Sequence, residues 1–416
     1  MDETIINGIN TVWVLLGAFL VIFMQAGFGM LEAGFIRAKN SSNLIMKNFI
    51  DFCFASMVFF LVGYAFMFGN GNSIIGFSGF LLLDAPNQSG IPLYAFVLFQ
   101  AAFAGAAATI VAGAVAERMK FKVYLIYSVI LSAFIYPVVG HWIWGGGWLS
   151  QIGFTDFAGS TVVHTVGGSS ALIAAYLLGP RIGKFNKDGS PNILAGHNIP
   201  MAALGTFILW FGWFGFNAGS TLAVGDGELI SLIALNTCLA AAIGGITSML
   251  AVWGRWGKPD LSMTMNGILG GLVAITAPCA FVSPGAAIII GALAGIFVVY
   301  GVVWVEKFCV DDPVGAVAVH GVNGIWGTLA VGIFGQKALG LAQEGLIFGG
   351  GFTQLGIQLF GVLAVVSFCI ISMGIVFKII KSTVGLRVDK MEELKGLDIG
   401  EHGIDSYSDF QLFLTK

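Results

Sequence analysis

The sequence predicts an all-α membrane protein with eleven transmembrane helices, arranged as two inverted five-helix repeats followed by a final helix. Three observations predict this fold class: the composition, the distribution of basic residues and an internal repeat. Of the 416 residues, 57% are hydrophobic and only 10% are charged, and the mean hydropathy is +0.90. A water-soluble domain carries about 25% charged residues, so most of the exterior is predicted to face lipid.

Apolar runs of about 20 residues, long enough to cross the hydrocarbon core as helices, account for most of the chain. Polar clusters separate them into eleven candidate spans, at approximately residues 10–35, 48–69, 91–115, 122–143, 159–179, 199–217, 228–252, 263–279, 284–305, 314–334 and 350–379. We expect residues 1–380 to form the transmembrane domain and residues 381–416 a hydrophilic C-terminal tail. The connections between spans are too short for a soluble catalytic domain, so we do not expect an enzyme.

The basic residues predict the orientation. If the N-terminus lies outside, 18 of the 19 Lys and Arg residues fall on the cytoplasmic side, and only Lys337 falls outside. Lys and Arg are enriched in cytoplasmic loops, so this bias predicts an N-out, C-in protein of the plasma membrane with a cytoplasmic tail. The outer loops are mostly acidic, which either draws cations to that face or only keeps the loops soluble.

Two nine-residue stretches, DFAGSTVVH and DPVGAVAVH, repeat with an offset of 156 residues and lead into the fifth and tenth spans. Because five is odd, the second half is predicted to be inverted relative to the first, as in many transporters. The inversion places the repeated aspartates on opposite faces of the membrane. Asp156 then begins its helix at the outer face, and Asp311 and Asp312 begin theirs at the inner face. We predict that Asp311 and Asp312 cap helix amides, and for Asp156 a cap and a ligand role both stay open.

The histidines of the repeat, His164 and His320, are predicted to meet at the centre of the membrane. Each lies eight residues after its aspartate, about 12 Å along a helix that begins there. Polar side chains at mid-depth are costly unless they line a path, although an isolated histidine is more often a satisfied packing residue. The repeat therefore favours one functional centre built by both halves.

Several stretches resemble the ammonium transporter family (Amt/Mep/Rh), most closely its bacterial Amt branch. These stretches are QAGFGMLEAGF (25–35), FQAAFAGAAATIVAGAVAER (99–118), HWIWGGGWL (141–149), DFAGSTVVH (156–164), WFGFNAGS (213–220), DDPVGAVAVHG (311–321) and GLRVDKMEELKGLDIGEHG (385–403). The resemblance implies a homotrimer with one pore per subunit and ammonium or ammonia as substrate, with methylammonium as an analogue. It implies no cofactor, no metal and no nucleic-acid partner.

The resemblance also assigns residues to the path. An outer ammonium site is implied at Phe103, Trp144, Asp156, the Ala158 carbonyl and Ser220; a gate at Phe103 and Phe216, with Trp213 nearby; and the pore centre at His164 and His320. An aromatic face and a hydroxyl suit a cation with four N–H donors. The alternatives are an interfacial tryptophan belt and lipid-facing or core phenylalanines.

The mechanism that we expect begins with ammonium at the outer site. The ion gives up its proton and crosses as neutral ammonia, because the spans are expected to hold no carboxylate at the depth of the histidines. The resemblance to the bacterial branch of the family implies net charge movement. An ammonium sensor and a Rh-type channel for ammonia or carbon dioxide remain alternatives; a metalloenzyme would need a third ligand beside the histidines. The tail is either a solvated segment or, as the resemblance implies, a regulatory element that contacts a neighbouring subunit, with a PII-type (GlnK-like) protein docking on the cytoplasmic face.

Overall fold

The computed structural model describes residues 3–87 and 90–408, and these contain ten candidate membrane-spanning helices and one shorter apolar helix. They are α1 (Glu3–Phe35), α2 (Ala38–Phe68), α3 (Leu93–Ala114), α4 (Phe121–Gln151), α5 (Ser160–Leu178), α6 (Ile199–Thr221), α7 (Gly227–Trp256), α8 (Leu261–Thr276), α9 (Pro284–Lys307), α10 (Val317–Phe334) and α11 (Thr353–Thr383). Ten of these are long and apolar enough to cross a membrane, and α8 is shorter. The prediction of an all-helical, multi-pass membrane protein is confirmed.

The shorter helix, α8, has 16 residues and packs between α7 and α9. At 1.5 Å per residue it rises about 24 Å, less than the hydrocarbon core. The chain that follows it is not helical, but Cys279, Ala280 and Val282 are buried. Irregular backbone is tolerated at membrane depth only where protein covers it, so α8 and this segment occupy the interior of the bundle.

Close glycine contacts hold the two halves of the domain together at their centre. Gly168 on α5 lies directly against the backbone of Gly321 on α10. Within the membrane small residues let helix backbones approach, since there is little hydrophobic drive between helices in lipid. This contact brings together the two helices that carry His164 and His320.

Both repeated segments begin with the same turn. Asp156 Oδ1 accepts the amide of Gly159 at 2.8 Å and its Oδ2 accepts the amide of Thr161 at 2.7 Å. Asp312 repeats the pattern with Gly315 at 3.1 Å and Val317 at 2.7 Å. The glycines have φ values of 121° and 81°, a region that disfavours side chains. Each aspartate therefore caps the helix that follows it.

The helices begin after these turns, not at the aspartates. α5 starts at Ser160 and α10 at Val317, and the first turn of each is a π-helix, Ser160–Thr165 and Val317–Val322. The prediction that each histidine lies eight helical residues beyond its aspartate is therefore wrong. Each carboxylate instead bonds to amides three to six residues on, because glycine bends the chain back over it.

Asp311, which we predicted to be a helix cap, has another role. Its Oδ2 accepts from Arg181 Nε at 2.8 Å, and its Oδ1 from Arg181 Nη2 at 3.0 Å. Arg181 also pairs with Glu117 at 2.7 Å. Burial alone would raise the pKa of Asp311, but Arg181 and Arg118 outweigh it and lower that pKa to about 2. The second acid of the Asp-Asp pair thus caps the helix, and the first holds an arginine.

The C-terminal tail folds against the membrane domain. It contains α12 (Lys390–Lys395) and α13 (Leu397–His402). Asp398 Oδ1 accepts the amide of Asn43 at 2.8 Å, and Arg387 pairs with Glu393 at 2.8 Å. The tail is therefore a docked element of its own chain as far as residue 408, and residues 409–416 of the predicted tail lie outside the described residues.

Candidate functional site

His164 and His320 contact each other in the interior. Their Nδ1 atoms lie 3.1 Å apart, and their rings are nearly parallel with centroids 5.2 Å apart. Two neutral imidazoles make this bond only when one Nδ1 carries the proton and the other accepts it. Among the described residues His164 Nε2 has no hydrogen-bond partner although it is buried. The pair therefore leaves a polar ring edge free inside an apolar surrounding.

Aromatic rings cover the outer side of this pair. His164 stacks on Trp213 and Phe216, with centroid distances of 5.1 and 5.4 Å. Phe216 in turn contacts Phe103 at 4.2 Å. Trp213 is fixed because its Nε1 donates to Thr276 Oγ1 at 2.9 Å. The rings that the sequence assigned to a gate thus form a continuous row of contacts from His164 to Phe103, which lines the cavity described next.

A cavity of about 350 Å³ lies on the other side of Phe103. Its lining includes Phe103, Trp144 and Ser220, three of the five residues assigned to the outer ammonium site. Within α4 the regular helix is interrupted after Ile143 and resumes at Trp148, so Trp144 stands at this break and is followed by three glycines. Ser220 donates its proton to the Phe216 carbonyl at 2.7 Å, which leaves the hydroxyl lone pairs as acceptors. These groups offer a cation an aromatic wall and an oxygen.

The other two residues assigned to that site lie behind the cavity. Asp156 is buried with its carboxylate bonded to four backbone amides, at residues 159–162. Burial raises the pKa of Asp156, while the amides oppose that rise. Ala158 is buried, and its amide donates to the Thr276 carbonyl at 3.2 Å. Asp156 supports the cavity wall, because its carbonyl accepts from Trp144 Nε1 at 2.7 Å.

Gln100 is a lining residue that the sequence analysis missed. Its side chain borders the outer cavity, and its Oε1 is buried without a hydrogen-bond partner among the described residues. A buried acceptor left unpaired costs about 1–3 kcal/mol, so the amide oxygen is available to a donor in the cavity. The sequence did contain an indication of this role, because Gln100 is the one amide side chain in the apolar sequence of α3.

A second, smaller cavity lies beside His320. Its volume is about 10 Å³, close to the minimum for one water molecule. Its lining comprises Phe28, Leu31, Glu32, Asn266, Leu269, Val314, Ala316, Val319 and His320. The expectation that no carboxylate accompanies the histidines is therefore wrong, because Glu32 borders the same cavity as His320. A carboxylate inside the first apolar span was the sequence signal.

The described fold and site define a multi-pass membrane protein in which a row of contacting aromatic rings lies between a cavity and paired histidines. The Ammonium Transporter Family model matches residues 12–407. The chain is 50% identical to ammonium transporter Amt2 of Archaeoglobus fulgidus, over 97% of this chain and 89% of that protein. It is 38% identical to ammonium transporter 1 member 3 of Solanum lycopersicum, covering 98% and 94%. The chain therefore belongs to the ammonium transporter family.

Solved structures give the same fold. A protein described as a sensor Amt protein superposes with a TM-score of 0.92 at 43% identity, covering 96% of this chain and 100% of that chain. Mep2 of Candida albicans superposes with a TM-score of 0.85 at 30% identity, covering 95% and 90%. These likenesses confirm the family resemblance of the sequence, and they extend it to the arrangement of the helices.

Proposed function

We propose that the outer cavity recruits ammonium and that ammonia, not ammonium, passes the paired histidines. The observation that carries this proposal is the closed contact of Phe103 and Phe216 between a cation-binding cavity and the imidazole pair. A cation–π contact contributes about 0.5 to 2 kcal/mol, and a charge-assisted hydrogen bond about 1.5 to 3 kcal/mol. These suffice to hold ammonium at Trp144 and Ser220.

Passage of the ion itself is opposed by desolvation. Moving an unpaired ammonium-type charge past the rings costs several kcal/mol even after relaxation. Neutral ammonia avoids that cost, and it finds a donor or an acceptor on each imidazole. The ion therefore gives its proton to a solvent water molecule in the outer cavity, which forms ammonia and hydronium, and the proton follows by a separate route, which gives net charge movement.

Eleven spans with the N-terminus outside and the tail inside fit this function in the plasma membrane. The basic loop residues Arg37, Arg118 and Arg181 lie on the same end as the tail, with which Lys39 and Lys120 form hydrogen bonds. We further propose the homotrimer of the family, with a PII-type protein as a partner of the tail-bearing face. These assignments rest on the family and on the distribution of basic residues.

An ammonium pulse applied to proteoliposomes tests the transport proposal. We expect an inward current together with a change of internal pH, and a much smaller response to an equal pulse of potassium, which has no proton to surrender. Correctly folded protein that gives neither signal would overturn the proposal. That result would favour the alternative function of an ammonium sensor, which the likeness to a sensor Amt protein supports. A sensor is expected to bind ammonium without conducting it.

A further inference from the structure

Glu32 is the one acidic side chain that borders either cavity described above. It follows Phe28 by one turn of α1, and the Phe28 ring lies 6.1 Å from the His320 ring. The same face of α1 therefore presents a phenyl ring to the histidine and a carboxyl group to the space beyond it. Glu32 is only 2% exposed. The mechanism above gives this buried acid no role.

The hydrogen bonding of Glu32 holds it at the cavity. Oε2 accepts from Asn48 Nδ2 at 3.1 Å, and Oε1 points toward the backbone of Gly113 beside Val314. Asn266, on the other side of the cavity, is fixed by its own bond to the Val314 carbonyl at 3.0 Å. Glu32 and His320 line the same cavity, which admits about one water-sized molecule. A single small molecule in this cavity can therefore contact both side chains.

Ammonia that leaves the histidines has to be protonated before it reaches the cytoplasm as ammonium. In an apolar cavity the new charge costs several kcal/mol unless an opposite charge forms beside it. A carboxylic acid meets both needs, since it supplies the proton and becomes the anion that pairs with the product. Charge-assisted hydrogen bonds of this type are about twice as strong as neutral ones.

Resting on the proposed function, we propose that Glu32 is the residue that protonates ammonia at the inner end of the path. The nitrogen lone pair of ammonia forms a new N–H bond as the O–H bond of the Glu32 carboxylic acid breaks, which gives ammonium and carboxylate in contact. Ammonium then leaves to the cytoplasm. A hydronium ion from the cytoplasmic water returns a proton to the carboxylate, and water is released.

Other titratable groups surround Glu32 and are part of any pH response. Those that interact with its charge or share its cavity are Lys47, Asp51, Tyr127, Asp312 and His320. Asp51 and Asp312 are already bonded, the former to Thr109 and Tyr124 and the latter to the amides of its own turn. Only Glu32 and His320 among these groups line the cavity.

The experiment measures ammonium-pulse currents in proteoliposomes whose internal pH is varied, for the wild type, Glu32→Gln and Glu32→Asp. We expect Glu32→Gln to lower the current at neutral internal pH at least about tenfold, because a positioned acid typically contributes more than that. We also expect this variant to lose the dependence of the current on internal pH. Glu32→Asp keeps the acid but withdraws it from His320, so its current falls less and keeps the pH dependence.

Asp51→Asn is the matched control, since Asp51 is equally buried but does not line the cavity. Because its charge acts on Glu32, its loss is expected to shift the internal pH dependence of the current without abolishing it. A Glu32→Gln current equal to the wild type in size and pH profile overturns the role of Glu32 and leaves the transport proposal standing. Absence of current in the wild type overturns the transport proposal itself. If Glu32→Gln does not fold, an unchanged current in Glu32→Asp overturns the role of Glu32.

Discussion

Gly168 and Gly321 touch through their backbones, so that a methyl group on Gly168 would overlap the backbone nitrogen of Gly321. The contact lies four residues after His164 and one after His320. The two halves of the protein thus meet where Gly168 has no room for a side chain, whereas a methyl group on Gly321 would come no closer than 3.5 Å to Gly168. The spacing of the imidazoles depends on this meeting point.

Gly168→Ala is therefore expected to destabilise the protein and to disturb the histidine pair. Overpacking of a filled interior costs about 1–3 kcal/mol, which lowers the melting temperature and the ammonium current together. Gly356→Ala is the control, because an added methyl on Gly356 in α11 meets no atom within 4 Å. Thermal melts of the two variants in detergent test this prediction. A Gly168→Ala protein as stable as Gly356→Ala would contradict the prediction.

Trp144→Leu is expected to weaken recruitment of ammonium more than its passage. Loss of a cation–π contact of about 0.5 to 2 kcal/mol raises the half-saturating ammonium concentration by roughly two- to thirtyfold. The maximal current is expected to stay near that of the wild type. Trp148→Leu is the control, because Trp148 does not line the outer cavity. Equal half-saturation in the two variants would argue against an aromatic cation site.

His164→Ala is expected to impair passage and leave recruitment intact. The change removes the partner of His320 Nδ1, and it leaves that buried nitrogen unpaired, at a cost of about 1–3 kcal/mol. The maximal current should fall on the order of tenfold, since 1.4 kcal/mol corresponds to that factor, while the half-saturating concentration changes little. Methylammonium uptake offers an independent readout. Retention of the full current would remove the imidazole pair from the path.

Asp311→Asn tests the ion pair with Arg181. Because the pKa of Asp311 is about 2 in the folded protein, below its ordinary value, the ion pair stabilises the fold above about pH 4. That contribution, about 2 kcal/mol, is lost as the pH falls from about 4 to about 2. The variant should melt lower at neutral pH and lack this acid step. Glu228→Gln, at an exposed position, should melt like the wild type.

Composition and periodicity were enough to predict the helical membrane domain, because lipid exposure imposes long apolar runs. Ten of the eleven predicted spans coincide with helices that are long and apolar enough to cross a membrane, to within a few residues at most ends, and the eighth coincides with the shorter apolar helix α8. The internal repeat predicted that His164 and His320 meet, and the structure confirms their contact at 3.1 Å. These features depend on patterns that run through whole segments.

Local chemistry was harder to predict. Asp311 and Asp312 are adjacent and have the same side chain, yet one holds Arg181 and the other caps α10. The choice depends on an arginine 130 residues away in the sequence. Glu32 and Gln100 were missed for a similar reason: a single polar residue in an apolar run does not indicate which side of its helix faces a cavity.

The matched Asp-Gly turns have a consequence for how the protein tolerates different membranes. Bilayers differ in thickness, and transmembrane helices respond by tilting or by shifting their ends. The backbone turns that precede the two histidines, however, are held by carboxylates bonded to amides only a few residues away in the chain. Changes at the ends of the long helices therefore leave the distance between the two rings unaltered, so ammonia conduction should be insensitive to the acyl-chain length of the surrounding lipid.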